Sequence, residues 1–316
     1  MYQDLKLIDI FDVLCRKDCG FSWIYDMIYT SNEKIPLLAA KLFSRSVFND
    51  IISAKNNRVI ECLIQNVNLP KSKDYSLFNY FEKIFKILSK SYRNEYVFKN
   101  SLAIDIIKKR HRFNNISYVN ELRTNNSICD IAIFNGTSTA YEIKTKLDNF
   151  DRLPLQLMDY QTVFDKIYVV CDTSKISIVE KLVSRNIGIC ELTSKNKVVI
   201  IKEALSNIDN ISNKSIFYCL RPSEIEKIFV EKLNHSLPKR PKERRMESLA
   251  IFESLDKSVV NQYFIEYMRK RSLKDYEKDY FCKFPSSILA MLLNLRLNKK
   301  KLIDFNHRIY LPFTIS

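Results

Sequence analysis

Two carboxylates and an ammonium group sit in a short run of alternating sequence that a plain strand pair would not need. The run is SICDIAIFNGTSTAYEIKTK, residues 127–146, and the three groups are Asp130, Glu142 and Lys144. Residues two apart on a strand point to the same face, so Glu142 and Lys144 share one face and Tyr141 and Ile143 take the other. Asn135-Gly136 is a hairpin turn signal. A hairpin folded about Gly136 sets Asp130 opposite Glu142, with Cβ atoms about 4.5–5.5 Å apart. Carboxylates that close repel unless a cation stands between them. Lys144 answers part of that charge. A divalent cation such as Mg²⁺, which takes oxygen ligands and commonly one or two carboxylates, answers more of it. The other reading of Glu142 and Lys144 is an ordinary ion pair on the solvent face of a surface hairpin.

Further polar groups stand where apolar ones are expected. Gln156 and Tyr160 are four apart and fall on the stripe of Leu153, Leu157 and Phe164. Polar groups on such a stripe need partners. A bound phosphate or active-site water would supply them, and so would plain packing with one hydrogen bond. Glu95 shares a helix face with Phe98 and Leu102, which aims a third acid at the sheet; a first-turn Glu favoured by the helix dipole reads equally well. Glu121, at the end of the first strand, is the alternative acid. Arg123, Asp148 and Arg152 flank these groups with no role assigned.

The elements that must position these groups follow from the hydrophobic period. Residues 1–90 read as helical, including FSWIYDMIYT at 21–30, and 92–110 as one amphipathic helix. The period then changes to two. Strands are expected at 116–122, 127–134 and 139–145, a helix at 153–166, a buried strand at 166–172, a helix at 174–186 and two more strands before 203. The order α-β-β-β-α-β-α-β-β is a mixed sheet with helices packed on it, an α/β (α+β) class. Three regions result: a helical N-terminal region (1–90), a core (91–203) and a helical, basic C-terminal region (204–316). SLPKRPKERR, 236–245, reads as a linker or exposed basic turn.

Composition narrows the function classes. The chain has 316 residues and a formal net charge of +15. Residues 236–316 hold 17 Lys and Arg against 9 Asp and Glu, a net +8. Such an excess favours a polyanionic partner, nucleic acid before an acidic membrane; ordinary solvated lysines are the competing reading. There are three glycines, too few for a Gly-rich phosphate loop or a dinucleotide fingerprint. Eight cysteines form no Cys-x-x-Cys, and five (Cys62, Cys129, Cys171, Cys190, Cys219) lie among apolar neighbours, as reduced core thiols do. With three unpaired histidines, a zinc site is poorly supported. No apolar run is long enough to span a bilayer, and the acidic N-terminus does not read as a signal peptide, so a cytoplasmic protein is expected.

The ordered set of helix Glu95, strand Asp130, strand Glu142-Ile143-Lys144 and helix Gln156-x-x-x-Tyr160 resembles the PD-(D/E)XK nuclease superfamily. YEIKTK followed by QLMDY is similar to its RecB-like branch, although SICDIA lacks the Gly before and the Arg after the Asp that this branch often carries. The likeness covers about residues 92–202 and also extends to uncharacterised bacterial families of the superfamily. It implies a restriction-endonuclease-like core. It further implies metal (Mg²⁺ or Mn²⁺) held by Asp130, Glu142 and Glu95, with Lys144 positioning or polarising the attacking water and Gln156 and Tyr160 organising the site. The function expected is metal-dependent hydrolysis of nucleic-acid phosphodiesters, DNA before RNA, in a phage or mobile-element setting. A binding protein that keeps the fold without the chemistry is the competitor. Lys239, Arg240, Lys242, Arg244 and Arg245 are the expected contacts to the nucleic-acid backbone.

Overall fold

A computed structural model describes residues 35–55, 58–66, 75–110 and 113–312. The helix expected at 21–30, Cys15, Cys19 and His111 lie outside the described residues. Helices α1 (Ile35–Leu42), α2 (Arg45–Ile52), α3 (Arg58–Asn66) and α4 (Leu77–Ser91) precede α5 (Glu95–Leu102). The sheet strands are β1 (Ser117–Thr124), β2 (Ser127–Phe134), β3 (Ser138–Lys144), β4 (Lys166–Asp172), β5 (Gly188–Leu192) and β6 (Val198–Lys202). Helix α6 (Leu153–Gln161) joins β3 to β4, and α7 (Ile176–Leu182) joins β4 to β5. Then come α8 (Asn213–Cys219), α9 (Pro222–Lys232), α10 (Pro241–Ser254), α11 (Lys257–Arg269), α12 (Asp275–Phe281), α13 (Leu289–Leu295) and α14 (Lys299–Tyr310).

The six strands lie side by side in chain order. β1, β2 and β3 are antiparallel, β3, β4 and β5 parallel, and β6 returns antiparallel to β5. This is the mixed sheet with flanking helices that the change of period predicts. The parallel strands need crossovers, and α6 and α7 supply them. The β2–β3 loop is Asn135-Gly136-Thr137, closed by the Asn135 N–H on the Thr137 carbonyl at 3.3 Å. Gly136 has φ +121°, a conformation that side chains resist.

The two faces of the sheet carry separate cores. On one face, α1 to α5 pack together with α12 to α14, over Ile131, Ile133, Ile143 and Val170. Phe48 stacks on Phe305 at 5.4 Å and tilts against Phe81 at 5.2 Å, so helices from both ends of the described chain share one aromatic centre. On the other face, α6 and α8 to α11 cover Ala132, Phe134, Ala140 and Val169. Phe134 meets Phe264 of α11 edge-on at 5.1 Å.

Two expectations about helices need correction. The stretch 92–110 is not one α-helix: Asn94 caps α5, accepting the Val97 N–H at 3.4 Å, and from Ala103 to Arg110 the helix widens to π geometry. The basic stretch 236–245 is not all linker, because α10 begins at Pro241. Proline lacks the N–H that a first helical turn leaves unused, so here it starts a helix instead of breaking one.

Candidate active site

The site is built where β2 and β3 part. Their backbone pairing runs from Phe134↔Ser138 to Ile131↔Tyr141 and stops there. Continued one step, the register sets Asp130 opposite Glu142, as a hairpin about Gly136 requires. Instead, Asp130 Oδ2 accepts the backbone N–H of Ile143 at 2.7 Å. A side-chain oxygen thus replaces the carbonyl that β2 would have offered, while β3 carries on along β4 through Glu142↔Val169 and Lys144↔Cys171. The neighbouring strand breaks step at the same level. Glu121, which the β1–β2 register sets against Asp130, is absent from the pairing and has φ +53°. Val119 and Leu122, three apart, consequently both pack on the α6 face.

Glu142 is 2% exposed and Lys144 8%. Lys144 Nζ lies 2.9 Å from Glu142 Oε1 and 2.9 Å from Gln156 Oε1. The Tyr160 hydroxyl lies 2.7 Å from Glu142 Oε2 and 2.8 Å from the Ile128 carbonyl oxygen. One phenol proton cannot serve both acceptors well; a protonated Glu142 donating to Tyr160, which donates to Ile128, satisfies all three. Helix α6 holds this arrangement because Leu153, Leu157 and Tyr160 are buried against the sheet while Leu155 and Met158 face outward. Gln156 and Tyr160 therefore belong with the carboxylates and do not merely pack.

Glu95 enters from the opposite face, in the first turn of α5. Its Oε1 is 2.6 Å from Lys99 Nζ, and Lys99 also reaches Glu121 at 3.5 Å. Both candidate third acids thus share one lysine. Burial pulls the Lys99 pKa down, but Glu95, Asp130 and Glu121 outweigh it and raise it. Burial, then the charges of Glu142 and Glu95, push Asp130 up to about 8, against the Ile143 N–H and Lys99. Burial raises Glu142 more than Lys144, Tyr160 and Gln156 hold it down.

The flanking residues divide. Asp148 accepts from the Thr145 N–H at 2.7 Å and hydroxyl at 2.8 Å, which shapes the turn after β3. The Arg123 carbonyl accepts from the Cys219 thiol at 3.4 Å, and Arg152 is exposed ahead of α6. Of the basic stretch, Arg240 pairs with Glu243 at 3.0 Å. Arg244 donates to the Pro238 carbonyl at 2.8 Å and lies 3.6 Å from Glu226, and Arg245 sits over the Tyr218 ring at 5.2 Å. Lys239 and Lys242 are exposed. Cys129, Cys171, Cys190 and Cys219 are buried free thiols.

Lys99 was legible as the i+4 partner of Glu95 but carries no motif of its own. Arg93 was missed as well. It lies 2.6 Å from Asp172 at the end of β4 and donates to the carbonyls of Leu192 and Thr193, both at 2.8 Å.

The family model for bacteriophage P4 protein cII matches residues 88–287. The chain belongs to this family. The matched span of this cII family member contains every candidate from Glu95 to Tyr160. Protein cII of Enterobacteria phage P4 is 34% identical over 101 residues, 31% of this chain and 38% of the phage protein. The matched stretch is thus well under half the length of that relative. No solved structure matches the chain.

Proposed function

We propose that this cII family member is a Mg²⁺- or Mn²⁺-dependent nuclease of the PD-(D/E)XK type, hydrolysing phosphodiester bonds, in DNA before RNA. The observation that carries the reading is the junction of β2 and β3, where Asp130 and Glu142 meet with Lys144, Gln156 and Tyr160 attached. The order around it, α5, three strands, α6, one strand, is the order that the resemblance implies.

The donors suit a hard cation. Two carboxylates with pKa values raised by burial and, for Asp130, by Glu142 and Glu95, favour a nearby positive charge. Among the described residues, no three acidic, imidazole or thiol groups stand close enough to hold an ion by themselves. Mg²⁺ keeps waters and uses one or two carboxylates plus substrate phosphate, so only Asp130 and Glu142 are asked of the protein. Asp130 and Glu142 would hold it, with Glu95, or Glu121 in its place, nearest to assist. Bound there, the metal supplies Lewis-acid charge and lowers the pKa of water.

The chain's own groups do the rest. An ammonium has three donors. Lys144 uses two on Glu142 and Gln156, which leaves one to aim at a non-bridging phosphate oxygen as charge builds on the phosphorane. Gln156 fixes its direction, and Tyr160 fixes Glu142. Among the described residues no helix is long and apolar enough to cross a membrane, and we place the activity in the cytoplasm. A role in conflict between phages or mobile elements suits a family with a phage P4 member.

The test is incubation with plasmid, linear duplex and single strands in Mg²⁺, Mn²⁺ and EDTA. Cleavage that EDTA abolishes is expected. No cleavage of any substrate in either metal overturns the reading.

A further inference from the structure

A cleft of about 660 Å³ opens beside the site. Its floor is Tyr118, Val119 and Asn120 of β1, the strand that continues into Glu121. The start of α9, the end of α11 and the α13–α14 turn form its walls. Six cations line it: Arg221, Lys227, Lys270, Arg271, Lys274 and Arg296. Two acids do so, Glu224 and Glu277, and both are engaged. Glu224 binds the Arg271 guanidinium, with Nε to Oε1 at 2.8 Å, and accepts the Arg221 N–H at 2.8 Å. Glu277 accepts the Lys274 N–H at 2.8 Å.

The cations are not balanced. Among the described residues, Arg221, Lys227, Lys274 and Arg296 have no carboxylate within ion-pair distance, whereas Lys270 reaches Glu231 and Glu266. Arg296 ends α13 in the left-handed conformation, φ 48° and ψ 57°, and donates to the Tyr118 carbonyl at 2.8 Å. Partial desolvation pulls its pKa down, and Arg221 and Arg271 repel it further, against the pull of Glu277. Guanidinia gathered this way are stabilised by a shared anion, and their planar forks suit phosphate. An independent sign comes from the floor. Tyr118 is 3% exposed, and its hydroxyl has no hydrogen-bond partner among the described residues; nor has the buried Asn120 Oδ1. Two residues of the cleft floor thus carry unsatisfied buried polar atoms beside an excess of cations.

We propose that this cleft holds the phosphates of the nucleic-acid strand that leads into the Asp130–Glu142 site, which rests on the nuclease reading for the strand's destination. Continuity along β1 supports this direction. Tyr118 belongs to the cleft floor through the strand it sits on, and its phenol, raised in pKa by burial and then by the charges of Asp130, Glu121 and Glu95, lies on the side of the acids, so β1 joins the cleft to the site.

The experiment is binding of a fluorescein-labelled oligonucleotide in EDTA across a salt series, so that no cleavage is required. The variants are the triple Arg221→Gln/Lys227→Gln/Lys274→Gln, all at exposed positions, and Arg296→Lys, which keeps the charge and loses the fork. The triple variant should lose at least about tenfold in affinity at low salt and flatten the slope of log K against log[salt] by about two, near 0.7 for each lost single-strand contact. Arg296→Lys should bind more weakly. Unchanged affinity and slope in the triple variant, with an unchanged melting temperature, overturns the proposal, as does a wild type that does not bind. If the triple variant loses binding and the wild type cleaves nothing, the cleft stands and the nuclease reading falls.

Discussion

The carboxylate of Asp130 is held by the backbone N–H of Ile143, at 2.7 Å, the residue between Glu142 and Lys144. The two strands therefore meet through a side chain at the level where the chemistry is proposed. Asp130 cannot move without moving the Glu-x-Lys segment.

Asp130→Ala should abolish cleavage and also strand the Ile143 N–H, at a stability cost of about 1–3 kcal/mol. Asp130→Asn keeps an acceptor oxygen, so it should abolish cleavage with little change in melting temperature. Glu142→Ala and Lys144→Ala should likewise abolish turnover. Single-turnover rates and thermal melts of the four proteins check this, and a wild-type rate in any of them removes that residue from the site.

Stability without metal should fall as pH rises from about 5 to about 8. The Asp130 pKa is raised in the folded state, so the fold binds that proton more tightly than the unfolded chain does. The stability it lends is present at low pH and lost as pH climbs towards the folded value. Asp172 and Glu224 are shifted the other way, downward, and so act below this window. Urea midpoints of wild type and Asp130→Asn across the range should differ in slope, the variant being flatter; parallel lines would refute it.

Tyr160→Phe keeps the ring in the core and deletes the hydroxyl between Glu142 and Ile128. The loss should be about 1–3 kcal/mol, from a buried Ile128 carbonyl left without its donor and a Glu142 carboxyl left without its partner. Gln156→Ala should leave stability almost intact and lower the cleavage rate, because Lys144 loses the group that aims it. Denaturation and single-turnover kinetics on both variants separate the two roles.

Glu95→Gln should weaken metal affinity and slow cleavage, with the fold unchanged. The readout is Mn²⁺ affinity by calorimetry. Unchanged affinity returns Glu95 to a surface pair with Lys99, and Glu121→Gln becomes the variant to measure.

Neutralising Lys239, Arg240, Lys242, Arg244 and Arg245 together should flatten the salt slope of binding less than the triple change in the cleft. Three of the five already have partners within the protein. A larger change than in the cleft variant would move the strand's track to the start of α10.

Much of this was readable in the chain. The period-two alternation and Asn135-Gly136 fix the β2–β3 register, and so the meeting of Asp130 with Glu142. The stripe on α6 fixes Gln156 and Tyr160. The departure of β2 from β3 was not readable, because it depends on the Asp130 side chain taking the Ile143 N–H in place of a backbone carbonyl, and no local pattern records that exchange. Nor was the cleft. Its cations come from positions 221 to 296 on separate helices, whereas the basic run at 239–245 catches the eye because it is contiguous. Contiguity in sequence is poor evidence of a shared field in space.

The stack of Phe48 on Phe305 has a consequence for the order of assembly during synthesis. The face of the sheet that receives α1 to α5 cannot close until α14 has left the ribosome, after the whole sheet has been made. Contacts this distant in sequence are slow to form, and until then the apolar side chains of the early helices need shelter. Arg296, just ahead of α14, is seated in the same late step. A nascent chain would thus complete the strands of the proposed site well before the proposed cleft for a polyanion exists.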